Sequence, residues 1–195
     1  MRRHAWLLPG VGLLTLGVCF LAVARARDDD ADDEKAAAAA SPDVRKLADA
    51  VGNPAALKKQ ADMMEKKYEL KPIMWGFKPK DRGGLGVGST PAGIETKLIT
   101  ELGKKPLKNL PAQAADLLKM TQVIRGIAEV TPSYAGKFTK TPAEAKTWQG
   151  LADDMKKGSD ELEAAIKAND PKAVYKAAND LNTSCDDCHT KFRDN

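Results

Sequence analysis

The sequence predicts an all-α protein, because helix-start signals recur along it and no stretch alternates polar and apolar residues over the length of a strand. A residue whose side chain can cap a helix stands directly before proline at several positions. Five of these pairs are used here as helix-start signals: Ser41-Pro42, Asn53-Pro54, Thr90-Pro91, Thr141-Pro142 and Asp170-Pro171. The capping oxygen accepts a hydrogen bond from an unpaired N–H group, and proline at the first helical position lacks that group. Each pair therefore predicts the start of a helix.

Apolar residues at helical spacing follow these signals. Four stripes are evident, after Asn53, Ala112, Thr141 and Asp170, with charged residues between the apolar positions. Glu144 lies three residues after Thr141, which completes the pattern of a capping box. Only three residues, 168–170, separate the last two stripes, so we expect the last two helices to run antiparallel as neighbours.

The first 24 residues have the pattern of a secretory signal peptide. A basic start at Arg2 and Arg3 precedes an apolar run that ends in the small residues Ala22 and Ala24. The alternative is an uncleaved membrane anchor, because the apolar run approaches the length that spans a bilayer. Both interpretations place the rest of the chain outside the cytoplasm. Residues 25–41, acidic and then alanine-rich, are expected to form a solvated leader, and residues 42–195 a single helical domain.

Charge excludes a nucleic-acid partner. The chain has 31 basic and 27 acidic residues, and cleavage removes Arg2 and Arg3, so the mature chain is close to neutral. A nucleic-acid-binding domain would need a strongly basic face.

The motif that carries chemistry is Cys185-Asp186-Asp187-Cys188-His189, the C-x-x-C-H pattern of covalent haem attachment. The two thiols can add to the two vinyl groups of one porphyrin, and His189 can then reach the iron from one face. His189 is also the only histidine after His4. An imidazole is a common proximal ligand of haem iron. The sequence therefore predicts one covalently attached haem c.

Three other interpretations of these residues remain open. A zinc site needs about four protein ligands, whereas the mature chain offers three adjacent ones. A thioredoxin-like redox pair is expected in a βαβ setting, and no such pattern is present. A disulfide between Cys185 and Cys188 is compatible with export, although it would not require His189.

Residues 183–193, with C-x-x-C-H followed by Thr190-Lys191-Phe192-Arg193, resemble the C-terminus of the class II c-type cytochromes, the cytochrome c′ group. The resemblance covers about 141–193 and implies a four-helix up-and-down bundle with the haem on its last helix. It also implies that Cys185 and Cys188 form the thioethers, that His189 is the proximal ligand, and that Phe192 and Arg193 lie beside the haem. Homodimers are common in the group.

The other face of the iron decides what the haem does. The resemblance implies either an empty apolar position that binds a diatomic gas such as NO or CO, or a methionine ligand that favours electron transfer. Met74, six residues after Tyr68, is the candidate ligand, although most methionines on apolar stripes are core residues. We predict an electron carrier with redox partner proteins, and a gas binder as the alternative. A peroxidase-type enzyme is not expected, since no second histidine is available as its acid–base group.

The segment 71–90 interrupts the helical pattern with Pro72, Pro79 and four glycines between 83 and 88. It is neither a phosphate-binding loop nor a dinucleotide fingerprint, because no strand precedes it. We expect a mobile surface loop. The alternative is a lid over the haem edge that brings Lys78, Lys80 or Arg82 close to the propionates.

Overall fold

The computed structural model describes residues 16–193, with side chains from residue 31 onward. The chain divides into two compact units, Met1–Asp32 and Asp33–Asn195. In the first unit the described backbone is helical from Leu16. Most of the predicted signal peptide lies outside the described residues, so it stays a prediction. Among the residues that are described, no helix is both long enough and apolar enough to cross a membrane.

Five long helices contain most of the described chain. They are α1 (Leu16–Asp49), α2 (Pro54–Lys67), α3 (Ala114–Val130), α4 (Pro142–Lys167) and α5 (Pro171–Phe192). The shorter helical pieces are Leu70–Met74, Trp75–Phe77, Lys80–Arg82, Ile94–Thr96, Lys97–Leu102, Thr131–Tyr134 and Ala135–Phe138. The described residues form no strand, only one isolated bridge between Val87 and Thr90. The all-α prediction is confirmed, and the four-helix topology stays a prediction.

Three of the five predicted helix starts are confirmed by their capping bonds. Asn53 accepts the N–H of Ala56, and Asp170 accepts the N–H groups of Lys172 and Ala173. At the start of α4, both bonds of the predicted capping box between Thr141 and Glu144 are present. These caps satisfy N–H groups that a helix otherwise leaves unpaired at its first turn.

The other two predicted helix starts are wrong. Pro42 lies inside α1, and the hydroxyl of Ser41 donates to the carbonyl oxygen of Gly83 at 2.6 Å. Thr90 closes a tight turn by donating to Val87, and the next helix begins at Ile94. At Ser41 a tertiary contact, and at Thr90 a local turn, uses the hydroxyl that could have capped a helix.

The expectation of a solvated leader is wrong for residues 33–41, which are helical. Ala37 and Ala40 are buried, with 1% and 0% of their surface exposed. Glu34 pairs with Arg82 at 2.9 Å. A run of alanines is a strong helix former, and its small side chains allow the glycine-rich segment to approach this part of α1 closely.

The glycine-rich segment is packed, which contradicts the expectation of a mobile surface loop. Leu85 and Val87 are buried in the main core. A Cβ atom at Gly84 would lie 1.8 Å from the carbonyl oxygen of Lys78, so only glycine fits there. Gly83 has a φ of 78°, which glycine adopts without strain. These glycines permit close contact between backbones.

Helices α3 and α4 form the part of the core that supports the last long helix, α5. The hydroxyl of Ser159 on α4 donates to the carbonyl oxygen of Thr121 on α3 at 2.9 Å. A Cβ atom at Gly158 would lie within 3.1–3.2 Å of Leu181 on α5, so the two helices approach closely at this point. Neighbours α4 and α5 run antiparallel, as the short connection between them predicts.

Asp43 joins α1 to α2 through a buried charge network. Its carboxylate accepts bonds from Lys67 at 2.7 Å, from Lys46 at 2.9 Å and from the hydroxyl of Tyr68 at 2.9 Å. These bonds hold the pKa of Asp43 well below its ordinary value, Lys67 contributing most, although burial acts in the opposite direction. The ionised form is therefore favoured in the folded chain.

We expect Asp43→Asn to lower the free energy of unfolding by about 1–2 kcal/mol at pH 7. Because the pKa is depressed in the folded state, this contribution is complete above about pH 4 and is lost as the pH falls further. Urea unfolding at pH 7 and pH 3 measures the difference. Asp62→Asn, which removes an exposed pair with Lys58, is the matched control and should have little effect. An equal loss at both pH values would contradict the prediction.

Candidate functional site

Cys185, Cys188 and His189 lie in the last two turns of α5. The helix begins at the Asp170 cap, and its buried face includes Val174, Ala178 and Leu181. Residues three apart on a helix lie on one face, so Cys185 and Cys188 continue this apolar face toward the end of the helix. Both cysteines are free and partly buried against the core. The structure therefore presents two adjacent thiols, with an imidazole in the same turn as the second.

Burial keeps both thiols neutral. It raises the pKa of Cys185 to about 12, with a further contribution from Asp186, and it also raises the pKa of Cys188. A neutral thiol is a poor metal ligand and a poor nucleophile for disulfide exchange. Within residues 16–193, no group of three or more His, Cys, Asp or Glu side chains could hold a metal ion. Neither observation favours the zinc or the thioredoxin-like interpretation.

Arg193 lies beside the histidine. Its Nη1 atom is 3.0 Å from Nδ1 of His189, four residues earlier, at the end of α5. The hydrogen bond made by one ring nitrogen influences which nitrogen of a histidine is available to a metal. A guanidinium has no acceptor, so Nδ1 accepts this bond, and in the neutral ring the proton lies on Nε2.

Phe192 is the end of an aromatic cluster that also contains Trp148 and Phe138. The rings of Phe192 and Trp148 meet edge to face with 5.1 Å between centroids, and Phe138 stacks on Trp148 at 5.0 Å. The indole N–H of Trp148 donates to the carbonyl oxygen of Thr131 at 2.9 Å. Trp148 lies on the apolar stripe that the sequence predicts after Thr141. No sequence pattern indicates that Phe138, ten residues upstream, stacks on its ring.

The short helical segment 94–102 packs against α5 through its second part, Lys97–Leu102. Directly after it, a Cβ atom at Gly103 would lie 3.3 Å from Oδ1 of Asn179. At the other end, the charge of Glu95 contributes to the raised pKa of Cys185. Six residues of this segment, Lys97–Leu102, form a π-helical turn. Such turns occur often at functional sites. Sequence reasoning missed this neighbour of the motif.

The methionines divide into two groups. Met64, Met120 and Met155 are buried core residues, as the default interpretation predicted. Met63 and Met74 are partly buried and pack against the core. Met74 ends the helical piece Leu70–Met74, which follows α2 after a short break. Its role as a distal ligand stays a prediction.

The residues present fit a covalently attached haem. The site combines two free thiols on one helical face, an imidazole directly after the second thiol, and an apolar and aromatic surrounding. Thioether formation consumes thiols and leaves no charge to bury, so burial of Cys185 and Cys188 is compatible with it.

Comparison with protein families agrees with this chemistry. Residues 106–193 match the family model described as Cytochrome C′. Neither the curated proteins nor the solved structures contain a match to the chain. The matched region includes α3, α4 and α5, and therefore the whole C-x-x-C-H motif. The resemblance seen at the C-terminus is thus confirmed: residues 106–193 of this chain match the cytochrome c′ family.

Proposed function

We propose that this protein is an exported mono-haem c-type cytochrome that acts in electron transfer. The observation that carries the proposal is the pair of free thiols on one face of α5, followed directly by His189. Membership of a haem-binding family supports the same cofactor.

Each residue at the end of α5 has a role in this proposal. Cys185 and Cys188 would hold the haem by two thioether bonds, and His189 would bind the iron through Nε2. Ligation through Nε2 requires the ring proton to move to Nδ1, so Arg193, which can only donate, would leave Nδ1 when the iron binds. Phe192 packs against Trp148 at the end of the same helix. The haem supplies an iron that accepts and releases one electron.

The position of the motif supports electron transfer. Cys188 and His189 are only partly buried, and Asp186, Asp187 and Thr190 on the same turns are exposed. A group attached here has an edge close to the protein surface, where a partner can approach it. Redox proteins outside the cytoplasm are the partners that we propose, and the family's frequent dimerisation makes a homodimer a second expected contact.

Gas binding is the second candidate function. Three of the methionines are committed to the core, and no histidine besides His189 is available after His4. If Met74 does not reach the iron, the sixth position stays open to NO or CO. Both functions need the same attachment, and they differ only at this position.

Optical spectra of the oxidised, reduced and CO-treated reduced protein separate the two functions. An electron carrier is expected to give sharp low-spin bands that resist CO. Met74→Ala should then convert it to a high-spin form that binds CO, because a thioether ligand has been removed. Met63→Ala, at the other partly buried methionine, is the matched control. A wild-type protein that is high-spin and binds CO would overturn electron transfer through Met74 in favour of gas binding.

A further inference from the structure

A groove lined by lysines lies between α5 and the start of α3 in the chain order. Its volume is about 300 Å³, and its walls include Lys104, Lys105 and Lys108 together with the apolar Pro106 and Leu107. All three lysines are exposed. We refer to this surface as the basic groove. Because the structure brings three ammonium side chains to one cavity, their charges act together on whatever approaches it.

The charge of the basic groove is not neutralised by the protein itself. Within residues 16–193, no carboxylate pairs with the side chain of Lys104, Lys105 or Lys108. One of the lining residues is acidic, Glu101, and its carboxylate already accepts a bond from the buried Lys97. Since the whole chain has 31 basic and 27 acidic residues, three unpaired cations at one groove are a local concentration of positive charge.

The basic groove lies alongside α5. The piece Lys97–Leu102, which leads into it, packs against that helix. Directly after this piece, a Cβ atom at Gly103 would lie 3.3 Å from Oδ1 of Asn179, and Lys104 is the next residue in the chain. Asn179 precedes Cys185 by less than two helical turns, which is about 9 Å along the axis. A partner seated on the groove therefore lies at the flank of the attachment helix.

An exposed apolar residue borders the basic groove. Ile99, with 45% of its surface exposed, directly precedes Thr100, which lines the groove. Protein interfaces commonly combine apolar contact with a polar rim. The match to the family model begins at residue 106, so Ile99, Lys104 and Lys105 all precede it. This part of the surface is therefore a feature of the chain in addition to the matched helices.

We propose that the basic groove is the docking surface for an acidic face of a redox partner protein. The inference rests on the proposed function, to which it adds the charge of the partner and the place of contact. Carboxylates of the partner pair with the three lysines, and apolar side chains of the partner contact Ile99 and Leu107. Such charge complementarity speeds encounter more than it tightens binding, which suits a carrier that must release its partner after one electron has passed.

The test is the rate at which a reduced [2Fe–2S] ferredoxin with an acidic surface reduces the haem-loaded protein, followed by stopped-flow absorbance. The ferredoxin cluster loses one electron and the haem iron gains it. We expect Lys104→Gln combined with Lys108→Gln to lower the second-order rate about tenfold at an ionic strength of about 0.01 M. The loss should disappear at about 1 M, where the Debye length is about 3 Å. The optical spectrum of the haem should be unchanged.

Lys59→Gln combined with Lys66→Gln is the matched control. It also removes two exposed cations, but from α2, which packs against α3. Both double variants therefore change the net charge equally, and the control should keep a rate close to that of the wild type. Carbodiimide crosslinking of the wild type with the same ferredoxin should join its carboxylates to Lys104, Lys105 or Lys108.

Equal losses of rate in the two double variants, or no loss in either, would overturn the docking surface. Sedimentation with vesicles of anionic phospholipid that depends on Lys104 and Lys108, with no effect of these lysines on the ferredoxin rate, would assign the groove to a membrane and would also overturn it. A wild type without covalent haem would instead overturn the proposed function, and that result is known before any rate is measured.

Discussion

Replacing both Cys185 and Cys188 by serine is expected to abolish covalent haem attachment. In the proposed attachment each thiol forms one thioether bond, and a hydroxyl does not replace a thiol in that addition. The measurement is extraction with acidified acetone after expression in a host that matures c-type cytochromes: wild-type protein keeps its haem in the pellet, and the double variant releases all of it. Either single variant should keep one thioether, and its alkaline pyridine spectrum should move to longer wavelength because one vinyl group remains conjugated with the ring.

Ser184→Ala is the matched control for the cysteine variants. Ser184 precedes Cys185, is buried, and donates to the carbonyl oxygen of Leu181 within its own helix. Its loss should leave attachment intact. Haem that resists extraction from the double variant would contradict the assignment and would point to another attachment residue.

Trp148→Ala is expected to lower the free energy of unfolding by about 3–5 kcal/mol. The substitution removes the ring that lies between Phe138 and Phe192 and leaves the carbonyl oxygen of Thr131 without its indole donor. The cavity would lie against the last turn of α5, so we also expect a broader haem band. Urea unfolding followed by circular dichroism measures the first effect.

Two further variants separate the contributions at Trp148. Trp148→Phe keeps an aromatic ring but loses the bond to Thr131, and its expected cost is about 1–2 kcal/mol. Phe138→Ala removes a ring that is 40% exposed, so it should cost less than Trp148→Ala. A loss below about 1 kcal/mol for Trp148→Ala would show that the cluster is not a major part of the core.

The helices that could be predicted from the sequence are those whose signals are local. Asn53, Thr141 and Asp170 each cap a helix with bonds to residues two or three positions away. Ser41 has the same chemistry, but its hydroxyl bonds to Gly83, 42 residues away. The residues around Ser41 do not predict that partner, and they do not predict the burial of Ala37 and Ala40.

The candidate site likewise has one part that local sequence patterns predict and one part that they do not. Cys185, Cys188 and His189 were found because the motif is contiguous, and a single helix sets their relative positions. The neighbours of the motif come from distant parts of the chain: Trp148 from α4, and Glu95 from a segment that lies 90 residues before Cys185 in the sequence. No local pattern predicts such neighbours, because they depend on how the helices pack.

The burial of Cys185 also has a consequence for the order in which the protein matures. Its side chain is partly buried against the core, so access to its thiol is restricted once α5 is docked. A ligating enzyme needs access to that sulfur. Since the other long helices precede α5 in the chain, they can assemble while its thiols are still open to solvent. Haem ligation would then precede the final docking of α5, and a chain that docks first would be trapped without its cofactor.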